Sequence, residues 1–234
     1  MKRALFAVPL IFAVVLCAQT TNKQNSAIIP VTRCDWLDRH EGFVAIAKNG
    51  GVDLLFLGDS ITDGWRKGGK AIWDKEFAPL KAANFGISGD RTQHVLWRLQ
   101  NGELDGIKPK LAVLMIGTNN LGSNSDDEIV DGIKAIIKEL HAKTPATKLL
   151  LLGIFPRNVK AEDTARGRIK QINSVIAKLD DGGKTVKYLD IGDKFLEPDG
   201  TLPKDIMPDA LHPNAKGYQI WADAVSELVL KMLK

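Results

Sequence analysis

A mostly parallel β-sheet covered by helices on both faces is the fold that this sequence predicts. Short apolar runs recur along the chain, and several are too continuously apolar for a sheet with one wet face. Longer stretches with apolar residues at helical spacing separate them, and strands alternating with helices assemble as parallel units. The chain has 234 residues, 44% of them hydrophobic, and two cysteines. That length and composition suit one sizeable core and exclude a disulfide scaffold.

At the amino terminus Lys2 and Arg3 precede an apolar run from Ala4 to Ala18, which gives way to a polar stretch ending at Ser26. A charged start, an apolar run and small residues form the order of an export signal, and the run is shorter than the ~20 residues that span a bilayer as a helix. Residues 1–18 are therefore expected to be a signal peptide cleaved after Ala18, which makes the mature protein secreted or periplasmic. Lipid anchoring at Cys17 is disfavoured because Leu16, rather than a small residue, precedes it. Cys34 then has no obvious intrachain partner. Lysine and arginine number 32 against 28 aspartates and glutamates, and loss of Lys2 and Arg3 halves that excess. The basic balance thus calls for no nucleic-acid partner, and no stable membrane insertion is expected. Residues 19–33 read as a linker or N-terminal extension, and residues 34–234 as one domain.

A first helix carries His40 and precedes the first strand, Val52–Leu57. The further strand runs are Ala82–Phe85, Leu111–Ile116, Lys148–Ile154 and Val186–Ile191. After the third strand, Ser125-Asp-Asp-Glu128 reads as a capping box that opens a helix. Ile129, Ile133, Ile136, Ile137 and Leu140 form its apolar stripe, and Pro145 marks its end. Ile169, Ile172, Ile176 and Leu179 form a second stripe. Tyr218, Trp221, Val225, Leu228, Val229 and Met232 form a third. These stripes are core faces.

In an open parallel sheet, ligands bind at the carboxyl ends of the strands. The segments there are Gly58-Asp-Ser-Ile-Thr62, Asn84-Phe-Gly-Ile-Ser-Gly89 and Gly117-Thr-Asn-Asn120, and Asp209-Ala-Leu-His212-Pro213 precedes the last helix. A serine nucleophile needs a base, a group that orients the base, and donors for an oxyanion; these segments can supply all of them. Ser60 lies at a strand-to-helix turn. His212 is the best candidate base, in a loop stiffened by Pro208 and Pro213, with Asp209 three residues earlier to fix its tautomer. His40, His94 and His141 fall in helical patterns and read as structural or surface histidines. Taken alone, Ser60 could be an N-cap, a duty that Asp59 or Thr62 could share. Asp209 and His212 could likewise be local caps. The four segments together, each at a functional loop, point to hydrolysis.

This set of four segments resembles the SGNH hydrolases, also called the GDSL esterase and lipase family. The blocks stand here as Gly58-Asp59-Ser60, Gly86 within Asn-Phe-Gly, Gly117-Thr-Asn119 and Asp209-x-x-His212. Ile61 replaces the leucine of the short name, a variation without catalytic weight. The stretch from Phe85 to Leu104 is also similar to the catalytic subunits of brain-type platelet-activating-factor acetylhydrolase and their bacterial relatives. The resemblance implies a three-layer α/β/α sandwich with a five-stranded parallel sheet, flavodoxin-like in class. It implies a catalytic triad of Ser60, His212 and Asp209, and an oxyanion hole formed by the amides of Ser60 and Gly86 and by the Asn119 side chain. No metal or organic cofactor is expected. Because the related subunits form dimers, a homodimer is the assembly it implies.

Short inter-element segments with no long apolar insertion predict an open, shallow site for short acyl groups. Trp65, Trp73 and the loop Leu196–Lys204 could wall it, although packing against the first helix is the simpler fate of the two tryptophans. Export favours acetylated carbohydrate as substrate, with a lysophospholipid or a platelet-activating-factor-like lipid as the alternative. Asp59, Asp63 and Asp90 could instead serve a metal-dependent phosphoesterase or a glycosidase pair, and a carbohydrate-binding relative without turnover is a further alternative. The Gly-rich loops carry neither a Walker nor a dinucleotide pattern.

Overall fold

The computed structural model describes residues 24–234; the expected signal peptide and Cys17 lie outside the described residues. Five strands form one parallel sheet: β1 (Leu54–Gly58), β2 (Ala82–Gly86), β3 (Leu111–Met115), β4 (Lys148–Leu152) and β5 (Val186–Leu189), in the order β2-β1-β3-β4-β5. Every residue of β1 and β3 is buried, as the unbroken apolar runs require for strands covered on both faces. The alternation of side chains along a strand divides them between two cores. Leu55, Leu57, Ala112, Leu114, Leu149 and Leu151 face one side, and Leu54, Phe56, Val113, Met115, Leu150 and Leu152 the other.

Helices α1 (Leu37–Asn49), α4 (Thr92–Arg98), α5 (Asp126–Lys143) and α6 (Thr164–Ile176) cover the first face. Helices α2 (Ser60–Asp63), α3 (Lys70–Glu76) and α7 (Ala215–Leu233) cover the second. The result is the three-layer α/β/α sandwich. Its helix boundaries follow the sequence chemistry. The Ser125 hydroxyl accepts from the Glu128 amide, and Glu128 accepts from the Ser125 amide, closing the capping box of α5. Asn214 caps α7 by accepting from the amides of Lys216 and Gly217.

Two expectations are corrected. Residues 25–33 do not run free as a linker. Ala27 is fully buried, its carbonyl accepts from Thr92 Oγ1 at 2.9 Å, and the Val31 amide donates to the Gln93 carbonyl. Asn124 donates to Ser26 Oγ. The segment reads as polar and irregular because polar and backbone hydrogen bonds onto α4 and α5, rather than an apolar stripe, hold it. The tryptophans neither wall the site nor pack on α1. Trp65 is buried on the opposite face of the sheet, 4.5 Å from the ring of Tyr218 and 5.0 Å from that of Trp221, and Trp73 lies 5.0 Å from Phe56.

This aromatic cluster positions the functional loops. Tyr218 Oη donates to the Ile61 carbonyl at 2.7 Å, so α7 is tied directly to α2. A side chain at Gly64 would collide with that phenol. With β2 on one side of β1 and β3 on the other, the strand order reverses between β1 and β3, which leaves a crevice at their carboxyl ends. That crevice is where an open sheet of this kind binds ligands. Among the described residues no helix is long and apolar enough to cross a membrane.

Candidate active site

Ser60 is the first residue of α2, immediately after β1. Capping falls to Asp59, whose Oδ1 accepts from the Ile61 amide at 2.9 Å. The serine hydroxyl is therefore not consumed by a cap and reaches His212 Nε2 at 2.8 Å. On the far side of the ring, Nδ1 lies 2.6 Å from Asp209 Oδ2, while Asp209 Oδ1 accepts from the His212 amide at 2.7 Å and the Leu211 amide at 3.1 Å. A carboxylate facing Nδ1 places the ring proton there, which leaves Nε2 as the acceptor for the serine proton. The arrangement can take a proton from Ser60 as its oxygen attacks an electrophile.

The Asp209–His212 turn is short because Ala210 adopts a left-handed conformation, with φ of 57°. Its carbonyl accepts from the Asn158 amide at 2.8 Å. Partial burial, the largest influence on Asp209, raises its pKa, but the hydrogen bonds from the His212 side chain and amide outweigh it and hold the carboxyl below its ordinary value. The Asp209 and His212 side chains are 55% and 42% exposed. Ser60 and Asn119 are half-buried, so the Ser60 hydroxyl stands beside a solvent-accessible histidine and aspartate.

Asn119 lies in the 3-10 turn Thr118–Asn120 after β3, and its Nδ2 donates to the Asp90 carbonyl at 2.8 Å. One amide hydrogen anchors the side chain and the second remains for a ligand. Its neighbour Asn120 is buried and joins the loops: Oδ1 accepts from the Thr92 amide at 3.0 Å, and Nδ2 donates to Gln93 Oε1 and Asn124 Oδ1.

Gly86 does not take the place expected for it. It is buried, its amide donates to Asn84 Oδ1 at 2.8 Å, and a Cβ there would collide with the backbone of Asp63. Asn84 Nδ2 in turn donates to the Thr62 carbonyl at 2.9 Å. The Asn-Phe-Gly segment thus docks α2 against β2, and glycine is needed for that close approach. Three residues on, Gly89 is exposed and left-handed, with φ of 80°. Among the described residues neither its amide nor that of Ser60 has an acceptor. The signal for Gly89 was present in the sequence, as the glycine of a Ser-Gly-Asp turn just past a strand.

The acidic neighbours face guanidinium groups. Asp63 meets Arg39 at 3.0 Å and Arg66 at 2.9 Å, and Asp90 meets Arg33 at 3.2 Å and Arg98 at 2.9 Å. Of the other histidines, His94 accepts from the Arg91 amide through Nδ1 at the start of α4, and His40 is buried 3.0 Å from Glu103. His141 sits in the last turn of α5. Burial and the nearby arginines push His94 down to about 4, which suits an imidazole that must stay neutral to accept. The loop Leu196–Lys204 packs against the segment after β4. Its buried Leu202 donates to the Val159 carbonyl, bracing the segment after β4 that reaches Ala210 through Asn158 and the Thr118 carbonyl through Arg157.

Asp59 is fully buried, and among the described residues its Oδ2 has no hydrogen-bond partner. Burial, only partly offset by the Ile61 amide, pushes its carboxyl up to about 7. The folded state therefore holds a proton that the unfolded state has released, and stability falls as pH rises from about 4 to about 7. Asp59→Asn keeps the cap acceptor and removes this titration. The melting temperature of the variant should drop less between pH 5 and pH 8 than that of the wild type, by several degrees; equal drops would refute the assignment.

A family model for the GDSL-like lipase/acylhydrolase family matches residues 56–220. The chain is 37% identical over 198 residues to the human platelet-activating factor acetylhydrolase IB subunit alpha1, covering 85% of this chain and 84% of that protein. It is 37% identical over 216 residues to the rat subunit alpha2, covering 90% and 93%. Among solved structures, a GDSL-like lipase from Bacteroides thetaiotaomicron superposes with a TM-score of 0.65 at 20% identity, covering 84% of this chain and 96% of that one. An acetylxylan esterase from Geobacillus stearothermophilus superposes with a TM-score of 0.59 at 20% identity, covering 79% and 94%. With the sheet order, the serine after β1 and the histidine before the last helix in place, the chain belongs to the GDSL-like lipase/acylhydrolase family and is a carboxylic ester hydrolase.

Proposed function

We propose that this protein is an exported serine esterase that removes short acyl groups, above all acetyl, through Ser60, His212 and Asp209. The observation that carries this reading is the continuous chain of contacts from Ser60 Oγ to His212 Nε2 at 2.8 Å and from Nδ1 to Asp209 Oδ2 at 2.6 Å, at an open surface. Ser60 attacks the ester carbonyl while its proton passes to Nε2, and the Asp209 carboxylate stabilises the imidazolium. The tetrahedral oxyanion is held by the amides of Ser60 and Gly89 and by the second Nδ2 hydrogen of Asn119. Collapse expels the alcohol, which takes the proton from His212, and leaves an acyl-enzyme on Ser60. Water then gives a proton to His212 as it attacks the acyl carbon; the second tetrahedral intermediate collapses with cleavage of the bond to Ser60 Oγ, which takes the proton back from His212 as the acid departs.

The acetyl preference is supported by the open site and by relatives that are acetylhydrolases at 37% identity. The Lys2-to-Ala18 order supports export, and an exported acetylesterase meets acetylated carbohydrate. The same relatives support a second reading, a lipid ester. A chain-length series of p-nitrophenyl esters, run beside acetylated xylan and a lysophospholipid, separates the two. Fastest turnover on acetyl esters and acetate release from xylan are expected, whereas a preference for acyl chains longer than about eight carbons would overturn the acetyl reading. Labelling of Ser60 by an organophosphonate probe excludes a binding protein without turnover.

Asn119→Ala should lower kcat on p-nitrophenyl acetate by about 10²–10³ with KM little changed, the effect of one lost oxyanion donor. An unchanged kcat would remove Asn119 from the oxyanion hole.

A further inference from the structure

We propose that Arg33 is a positioning residue of the active site, fixing the Ser88–Gly89 peptide so that the Gly89 amide points at the oxyanion. The inference rests on the oxyanion role given to Gly89 above. It assigns a task to the end of the N-terminal segment, which reads in sequence as a linker.

Arg33 Nη1 donates to the Ser88 carbonyl at 2.7 Å and meets Asp90 Oδ1 at 3.2 Å. The Ser88 carbonyl and the Gly89 N–H belong to one trans peptide and point in opposite directions. A guanidinium seated on the oxygen therefore sets the direction of the N–H, and by drawing charge toward the oxygen it strengthens the donor at the other end. The turn is closed by the Asp90 amide donating to the Ile87 carbonyl at 3.2 Å, but among the described residues its central Ser88–Gly89 peptide has no backbone partner, and Gly89 is exposed and left-handed, so Arg33 adds the hold on that peptide's oxygen. The fit behind it is close: a Cβ on Gly89 would stand 3.0 Å from Arg33 Nη1.

Arg33 is itself held. Nη2 meets Asp35 at 2.7 Å, and the guanidinium carbon lies 5.9 Å from the centre of the Trp36 ring. On the inner side Asp90 is 1% exposed, and its second oxygen accepts from Arg98 Nε at 2.9 Å. Arg98 continues to buried Glu103, and Glu103 to His40. The turn that carries Gly89 is thus clamped between the N-terminal segment and a buried charge network, with Asn119 bonded to the Asp90 carbonyl at 2.8 Å as the third fixed point. The stretch from Asp90 to Glu103 supplies most of this clamp. Arg33 is the part delivered by the N-terminal segment.

The test uses the full chain with Arg33→Met and Arg33→Lys, assayed on p-nitrophenyl acetate, with phenylboronic acid as the oxyanion-mimicking inhibitor. Arg33→Met should lower kcat about tenfold, leave KM within about twofold, and weaken boronate inhibition by the same factor as kcat. Arg33→Lys, which retains the charge and one donor, should recover part of both losses. A lowered melting temperature with kcat and boronate affinity per folded enzyme unchanged would overturn the proposal and leave Arg33 a structural residue. Wild-type kcat in Arg33→Met, alongside a strong defect in Asn119→Ala, would overturn it while the esterase reading stands. An active Ser60→Ala enzyme would instead overturn the esterase reading.

Discussion

Ser60→Ala is expected to lower kcat on p-nitrophenyl acetate by about 10⁴–10⁶ and to abolish labelling by an organophosphonate. The hydroxyl proposed as the nucleophile stands 2.8 Å from His212 Nε2, and among the described residues no neighbouring side chain is placed to stand in for it. Asp59, the adjacent residue, is fully buried and spends Oδ1 on the Ile61 amide. Thr62 is buried one turn into α2. Because Asp59 rather than Ser60 caps α2, the substitution removes no cap, and the melting temperature should stay within a few degrees of the wild type. Full esterase activity in a folded Ser60→Ala protein would end the assignment.

His212→Ala carries the second large effect, again about 10⁴–10⁶ in kcat. Serine hydroxyl is a poor nucleophile without a base. The remaining described histidines cannot substitute for it: His94 is held neutral as a helix-start acceptor, His40 is buried against Glu103, and His141 lies at the end of α5. The same argument predicts non-additivity. The Ser60→Ala/His212→Ala double variant should be no slower than the worse single variant, because the two side chains act as one unit. A double variant slower than the wild type by the product of both single effects would show that they act independently. Since His212 is 42% exposed, its loss should leave the fold intact, which circular dichroism and the melting temperature check.

Where chemistry is local, it was readable in the chain. The strands appear where the apolar runs predict them, with ends shifted by a residue or two. The capping box at Ser125 begins α5 as expected, because a cap depends on residues within one turn. The Asp209–His212 pairing is legible for the same reason, both partners lying in a single tight loop. Two points were not legible. Gly86 and Gly89 occupy one short block, and either could present an amide to a ligand; the docking of α2 on β2 consumed the first and left the second exposed. Residues 25–33 resemble a linker because their contacts are backbone carbonyls and small polar side chains, which leave no periodic trace.

The sequence by itself determined the layers of this protein, the loops that carry its chemistry and the side chains able to perform it. Periodicity, capping and turn preference act over a few residues and survive without a fold. Only the tertiary structure decided which of those groups meet. Ser60 and His212 are 152 residues apart, and they are joined because a parallel sheet brings strand ends to one edge and because Tyr218 ties α7 to α2 beneath them. Arg33 reaches Ser88 across 55 residues. Such contacts exist only once the core has closed, since no local preference specifies them and packing alone sets the distance.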